Sequence, residues 1–403
     1  MTRQMYGRYL LLAMFLSILF YTLDLHHRVQ KALHSGPTTT VNDHDLSSHK
    51  MIGQIRNWQQ RSGITKIVGF VFYGRRAQAS ILDCYLKRNL KKNGGILDQV
   101  IWAERTEVKE DLALLDKIIE SDTDYTRILI QPGHGYSTAY DSIEDDVLYV
   151  KIDTDIVYIE DSTIVSMVHK RAMDENYYIV GANVVNQPLS SWLHWNLDAV
   201  KPYLPDLGET QEQSDPGQMD WRLSMVPDWR GPEDFDLDGW TPPSGQHRWL
   251  PLRTESSSLN RTIPIISTFY DAYDGPGWWK WTLGAQQHYS LLDNIERQEM
   301  WRYRFNTWNY RDLRMGLQFM VMTGRDINAA KPIAGDDEGH FTVTMPRALN
   351  KTAVADGRGV AAHYSFYAQS DGMSKTDILE RYRSYAQKNI CRGKMLWLSN
   401  ADD

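Results

Sequence analysis

The stretch Asp146-Val-Leu-Tyr-Val-Lys-Ile-Asp153-Thr-Asp155-Ile-Val-Tyr-Ile159 decides how this chain is read. Its first half is apolar and β-branched, as a strand buried on both faces must be. Asp153 and Asp155 stand where that strand runs out. Two carboxylates one residue apart at a strand end can share a hard divalent cation, and such a cation can hold a diphosphate. The same spacing recurs at Asp43/Asp45, Asp122/Asp124, Asp234/Asp236 and Asp236/Asp238. Those pairs lie in polar or turn-like sequence, where aspartate bonds to its own backbone. Only Asp153/Asp155 has apolar β-branched residues on both sides. A solvated turn and a cation site both stay open for it.

The surroundings supply the fold class. Lys66 to Tyr73 is another apolar run, broken at Gly74-Arg-Arg76. Ala77 to Lys92 has helical apolar spacing and stops at Asn93-Gly-Gly95. Gln99 to Ala103 reads as a strand, Glu107 to Ser121 as a helix and Val147 to Ile152 as a strand. Ser162 to Glu175 then reads as a helix and Tyr177 to Val185 as a strand. This alternation predicts an α/β fold, Rossmann-like, with a mostly parallel sheet flanked by helices. Ligands of such sheets bind beyond the carboxyl ends of the strands, where Arg75, Arg76, Asp153 and Asp155 all fall. No Gly-x-Gly-x-x-Gly follows the first strand and no Walker lysine loop exists. That argues against dinucleotide-binding and ATP-hydrolysing versions of the fold. Arg75 and Arg76 suit a diphosphate or a base, and equally a solvated basic turn.

The chain's ends point to a membrane. Residues 1–8 are basic and polar, and 9–25 are almost wholly apolar, uncharged until Asp24. At 1.5 Å per residue this segment spans roughly 25 Å, near the thinner membranes of the early secretory route. Arg3 and Arg8 precede it, so a cytosolic tail and a lumenal remainder are expected. A cleaved signal peptide has the same basic start, but no small-x-small site follows. An uncleaved anchor in the Golgi or ER membrane, single-pass and type II, is the expectation. Residues 26–63 are polar with little periodicity and read as a stem. The net charge of −7 gives no reason to expect nucleic acid as a partner. Cys84 and Cys391 can pair in an oxidising lumen or remain as two buried thiols. Asn260-Arg-Thr262 and Asn350-Lys-Thr352 are glycosylation sequons.

Residues 64–375 are expected to form the main domain and 376–403 a terminal helix and tail. Within the domain, about 205–264 is a long Pro/Trp-rich insertion of poor periodicity, which reads as a packed functional loop. The chain has 14 tryptophans. Flat aromatic faces suit sugar rings, with core packing as the alternative for each; Trp278, Trp279 and Trp308 are the candidates for carbohydrate contact. Gly335-Asp-Asp-Glu338 is a second acidic block. It either caps the helix that follows or, facing a cleft, raises the pKa of one member as a general base requires. His363, in Gly359-Val-Ala-Ala-His363-Tyr-Ser-Phe-Tyr367, reads as a core histidine or a distant metal ligand.

Taken in this order, the anchor and stem, Lys151-Ile-Asp-Thr-Asp-Ile-Val-Tyr-Ile159, Gly335-Asp-Asp-Glu338 and Ala362-His-Tyr-Ser-Phe366 resemble type II membrane glycosyltransferases of the GT-A fold. The resemblance covers roughly residues 64 to 370 and is nearest to a group of fungal and bacterial glycosyltransferase-like proteins. Thr154 stands where many of them have a third aspartate. The resemblance implies a hexosyltransferase-like enzyme that uses Mn²⁺ or Mg²⁺ and moves a sugar from a nucleotide-sugar to a glycan or glycoprotein. It implies that Asp153 faces the donor's ribose or sugar, and that Asp155, with Asp153 and His363, serves the metal. Tyr73, Arg75 and Arg76 would line the nucleotide pocket, and one of Asp336, Asp337 and Glu338 would deprotonate the acceptor. A hydrolase of nucleotide-sugars or phosphoesters and a catalytically idle glycan-binding protein are the competing readings. If Asp155 and His363 share an ion at ligand bonds of about 2.2 Å, their ligand atoms must converge within about 6 Å.

Overall fold

The computed structural model describes residues 47–130, 136–208, 219–243, 245–252, 263–269 and 274–396. The tail, the apolar segment at 9–25, the stem up to residue 46 and the Asn260 sequon lie outside the described residues. Among the described residues, no helix is long and apolar enough to cross a membrane.

The expected strands form, and more join them. β1 (Lys66–Tyr73), β2 (Gln99–Glu104), β3 (Tyr125–Leu129) and β4 (Val147–Asp153) lie parallel in the order β3-β2-β1-β4. β5 (Ile156–Ile159) and β6 (Tyr177–Val185) follow in sequence. β7 (Tyr203–Pro205) and β8 (Trp249–Pro251) make a separate antiparallel pair within the insertion. β9 (Trp308–Asn309), β10 (Phe319–Thr323) and β11 (Thr352–His363) complete the set. Beyond β4 the sheet continues β10-β6-β11-β5, with β9 paired to β11. β10 runs antiparallel to β4 and β6, while β11 is parallel to β6. The fold is therefore mixed α/β with a large, mostly parallel sheet flanked by helices.

Both faces of the sheet are covered, which is why its strands read as near-continuous apolar runs. Period-2 alternation splits β4 between two cores. Leu148, Val150 and Ile152 pack with Ile81, Leu82 and Val165 on one face. Val147 and Tyr149 pack with Phe70, Met322 and Phe341 on the other. Lys151 and Asp153 share the parity of that second face, so the strand's last polar residues point towards the segment carrying the acidic block. Helix α4 (Thr163–Met173) approaches β11 closely at Gly359, where a Cβ would meet the Thr163 backbone at 2.3 Å.

The stem expectation needs correction. Residues 48–62 form a helix, α1 (Ser48–Ser62), against α4. Met51, Ile55 and Trp58 recur at helical spacing and are buried, while His169 bonds Gln54 at 2.8 Å. The polar majority of the segment hid a narrow apolar stripe. Trp58→Ala is expected to cost about 3–5 kcal/mol, as buried aromatic truncations do. A denaturant midpoint that barely moves would return this helix to the stem.

The insertion is packed where it is described. Trp221, Leu223, Val226, Trp229 and Trp249 join the main core, and Trp229 Nε1 donates to the Pro205 carbonyl at 3.0 Å. At the other end of the chain, the expected terminal helix runs over Ile378–Asn389 and packs on α2 (Arg76–Asn89). Cys84 of α2 and Cys391 are joined as a disulfide, which settles the choice left open by the sequence.

Candidate active site

β1 and β4 lie side by side, so Phe72 is level with Asp153. The Asp153 amide donates to the Gln318 carbonyl at 2.8 Å, and the Thr154 hydroxyl turns back to donate to the Phe72 carbonyl. Thr154 is thus a turn-fixing residue. The chain re-enters the sheet as β5, whose pairing with β11 slips register between Ala362 and His363. Irregularities of this kind re-aim a side chain, and here the one concerned is His363. Its Nε2 lies 3.4 Å from Asp155 Oδ1, well inside the 6 Å expected of two ligands of one ion. Its Nδ1 donates to the Asn186 carbonyl at 3.3 Å. Arg75 Nη1 holds the other oxygen of Asp155 at 3.1 Å.

The electrostatics of this pair are opposed. Burial pushes the Asp155 carboxyl up, but the charges of His363 and Arg75 outweigh it and hold it below its usual range. Burial pushes His363 down, and Asp155 more than reverses that. Asp153 is pushed up to about 6 by burial, against the pull of Lys151 and with repulsion from Asp155 added.

Asp155 and His363 fit a divalent cation. Asp155 Oδ1 is buried without a hydrogen bond and faces the ring nitrogen of His363. Ligand bonds of about 2.1–2.4 Å at right angles separate two ligand atoms by roughly 3.0–3.4 Å, the spacing of this pair. Among the described residues no group of three or more His, Cys, Asp and Glu gathers to hold a metal alone. The remaining positions would fall to water or a bound ligand, as Mg²⁺-type sites commonly arrange.

The acidic block divides into three different environments. Asp336 is half exposed, caps the short turn that follows by accepting from the Gly339 amide at 3.0 Å, and pairs with Arg314 at 2.8 Å. Glu338 is pinned by Arg314 at 3.1 Å and by the Leu317 amide at 3.2 Å. Asp337 instead accepts from the buried Tyr140 hydroxyl at 3.2 Å. Burial raises its carboxyl, Lys151 opposes and the Glu338 charge adds.

Lys151 links the two acidic groups. It is buried, donates to Asp153 Oδ1 at 2.5 Å and to the Leu317 carbonyl at 2.6 Å, and lies over the Phe72 ring. Burial lowers its pKa, yet Asp153 and Asp337 together more than restore it. Sequence reasoning missed this residue, though a lone charge in a strand otherwise buried on both faces was its signal. Removing one partner of such a buried pair is costly. Lys151→Met is therefore expected to lose roughly 3 kcal/mol of stability. An unchanged urea midpoint would mean that neither carboxylate depends on it.

Other expected site residues lie elsewhere. Tyr73 is core: its hydroxyl donates to the Asp111 carbonyl at 2.5 Å and its ring meets Trp102 edge-on. It joins Ile67 and Val71 of β1 in the main core. The Arg76 guanidinium reaches Asp111 at 3.5 Å, so of the two arginines only Arg75 is bonded to the aspartate pair. Trp308 is buried in β9 and belongs to the second core, because β9 pairs with β11 in the sheet. Trp278 and Trp279 are 37% and 51% exposed. Trp278 neighbours Phe366, whose ring centroid is 4.5 Å from that of His363. Trp58, Trp102, Trp221, Trp229 and Trp249 are buried as well, so tryptophan abundance here mostly reports packing. Asn350 is exposed, at a turn with positive φ just before β11.

Neither a family model nor a curated protein sequence matches this chain. Among solved structures, GalNAc-T7 with UDP, GalNAc and Mn²⁺ is similar, with a TM-score of 0.37 and 10% identity. The similarity covers 76% of this chain and 45% of that one, so the chain matches less than half of that structure's length.

Proposed function

We propose that this chain is a cation-dependent glycosyltransferase of GT-A type, which moves a sugar from a nucleoside-diphosphate sugar to a glycan or glycoprotein. The observation that carries the reading is the pairing of Asp155 Oδ1, buried and without a hydrogen bond, with His363 Nε2 3.4 Å away. They lie beyond the carboxyl end of a parallel strand, where α/β folds bind ligands. A second acidic group lies across Lys151.

Asp155 and His363 hold Mn²⁺ or Mg²⁺ in this reading. When bound, the ion offsets the charge that grows on a departing nucleoside diphosphate. Arg75 adds a positive charge beside the diphosphate. Asp153, held by Lys151, faces the ribose or sugar of the donor. Asp337 takes the proton of the acceptor hydroxyl, since its raised pKa brings a carboxylate nearer the range of a useful base. Trp278 and Trp279 present exposed ring faces to the acceptor. The Cys84–Cys391 disulfide suits an oxidising compartment, in keeping with residues 9–25 as a Golgi or ER anchor.

The test is incubation with a panel of nucleotide-sugars and glycan acceptors, with and without Mn²⁺. Transfer that requires the ion is the expected result. Absence of donor consumption and binding under every condition would end the proposal. Release of free sugar without transfer would favour a hydrolase, and glycan binding indifferent to Asp155 an idle binding protein.

A further inference from the structure

His363 is gripped from several directions by groups that touch no proposed ligand. Asn186 stands just past the end of β6 with φ +61°, a left-handed conformation that asparagine tolerates better than most residues. Its carbonyl accepts from the His363 ring, while its side-chain Nδ2 donates to the carbonyls of His363 (3.2 Å) and Tyr364 (3.1 Å). One residue therefore holds both the ring and the main chain of His363. Gln369 completes the arrangement. Asn186 Nδ2 donates to Gln369 Oε1 at 2.9 Å, and Gln369 Nε2 returns a bond to Asn186 Oδ1 at 3.2 Å. The same Nε2 reaches the Gly277 carbonyl at 3.0 Å, the residue before Trp278.

The pair is wholly buried, and its surroundings are shaped to it. In α5 (Trp281–Glu296), Gly284 faces it: a Cβ there would come within 3.2 Å of both polar atoms of the Asn186 amide. From the same helix His288 donates to the carbonyls of His363 and Tyr364 while Tyr382 donates to its other nitrogen. A hydrophobic pair would fill this space without bonding demands. What the side-chain amides supply is placement: they fix the main chains of Asn186 and His363, so that Nδ1 donates to the Asn186 main-chain carbonyl and Nε2 is the nitrogen turned to Asp155.

We propose that Asn186 and Gln369 are positioning residues that hold the His363 ring with Nε2 turned to Asp155 and tie the Trp278 turn to it. The purpose of that geometry rests on the cation site proposed above; the geometry itself does not. Outer-shell partners that orient a ligating histidine are worth about 10–100-fold in metal affinity.

Full-length wild type, Asn186→Asp and Gln369→Glu separate the possibilities. Both changes keep shape and remove the donors. The first measurement is a long-range ¹H–¹⁵N spectrum of the His363 ring, in metal-free protein above the ring's pKa. Wild type is expected to carry its proton on Nδ1 alone, and the variants to populate the Nε2–H tautomer. The second is an electron-paramagnetic-resonance titration with Mn²⁺ alone, whose Kd is expected to rise about 10–100-fold in each variant. A mixed tautomer in wild type overturns the proposal. So does a folded variant that keeps the wild-type tautomer and a Kd within twofold. Wild type with the expected tautomer but no Mn²⁺ uptake supports the positioning role and removes the transferase reading instead. Either variant suffices should the other fail to fold.

Discussion

Asp155→Asn is expected to abolish Mn²⁺ binding and to reduce sugar transfer by about 10³-fold or more, with the fold intact. Asp155 lies between Arg75 at 3.1 Å and His363 at 3.4 Å, while the nearby Asp153 is bonded to Lys151. Neutralising Asp155 removes the carboxylate that offsets Arg75 and leaves Asp153, already bonded to Lys151, as the turn's remaining carboxylate. A divalent ion would enter a pocket that repels it. Asparagine keeps the shape and an oxygen for Arg75, so loss of binding cannot be blamed on collapse. Free Mn²⁺ measured against protein concentration, with circular dichroism as a fold control, decides the matter. Wild-type Mn²⁺ uptake by this variant would make the Asp153-Thr-Asp155 turn just a turn.

Asp337→Asn is expected to lower the transfer rate by about 10²–10⁴-fold while leaving donor and Mn²⁺ binding in place. Asp336→Asn, a change to a half-exposed cap, should cost less than tenfold. The pH behaviour follows from the raised pKa of Asp337. A base acts as its carboxylate, so the wild-type rate should climb as pH rises through that raised value, and the limb should vanish in the variant. Stability runs the other way. Folding raises this carboxyl's pKa above its unfolded value, so the native state binds more protons between the two values, and stability falls as pH rises through that window. Above the window the penalty is fully present. Asp337→Asn should therefore melt no lower than wild type at pH 7, and higher if the released penalty exceeds the lost contact with Tyr140. A slow enzyme that is also clearly less stable would point to a structural carboxylate instead.

The parallel half of the fold was legible because buried parallel strands advertise themselves as unbroken apolar runs between amphipathic helices. β1 and β6 fall on the same residues in sequence and structure. β3 was not legible: three of its five residues, Thr126, Arg127 and Leu129, are exposed at the sheet's edge. β10 is only Phe319–Thr323, too short to tell from a buried turn of helix. Asp155, His363 and Arg75, which the fold brings together, stood out because carboxylate, imidazole and guanidinium are conspicuous against apolar sequence. Tyr73 and Trp308 are both buried, as tyrosine and tryptophan are at home in cores as well as at ligand faces. Asn186 and Gln369 gave no signal. Their role depends on partners over 170 residues away in the chain, a distance no local pattern spans.

The sheet's strand order has a consequence for how the chain is made. β10 lies between β4 and β6, and β11 lies between β6 and β5, so the two strands synthesised last fill the interior. Until Phe319 has left the ribosome, β4 and β6 have no partner between them, and open apolar strand edges invite pairing with other chains. A polypeptide stopped before that point is not a smaller version of this protein but an unfinished sheet. Completion belongs to the end of translation, and the nascent chain needs protection until then.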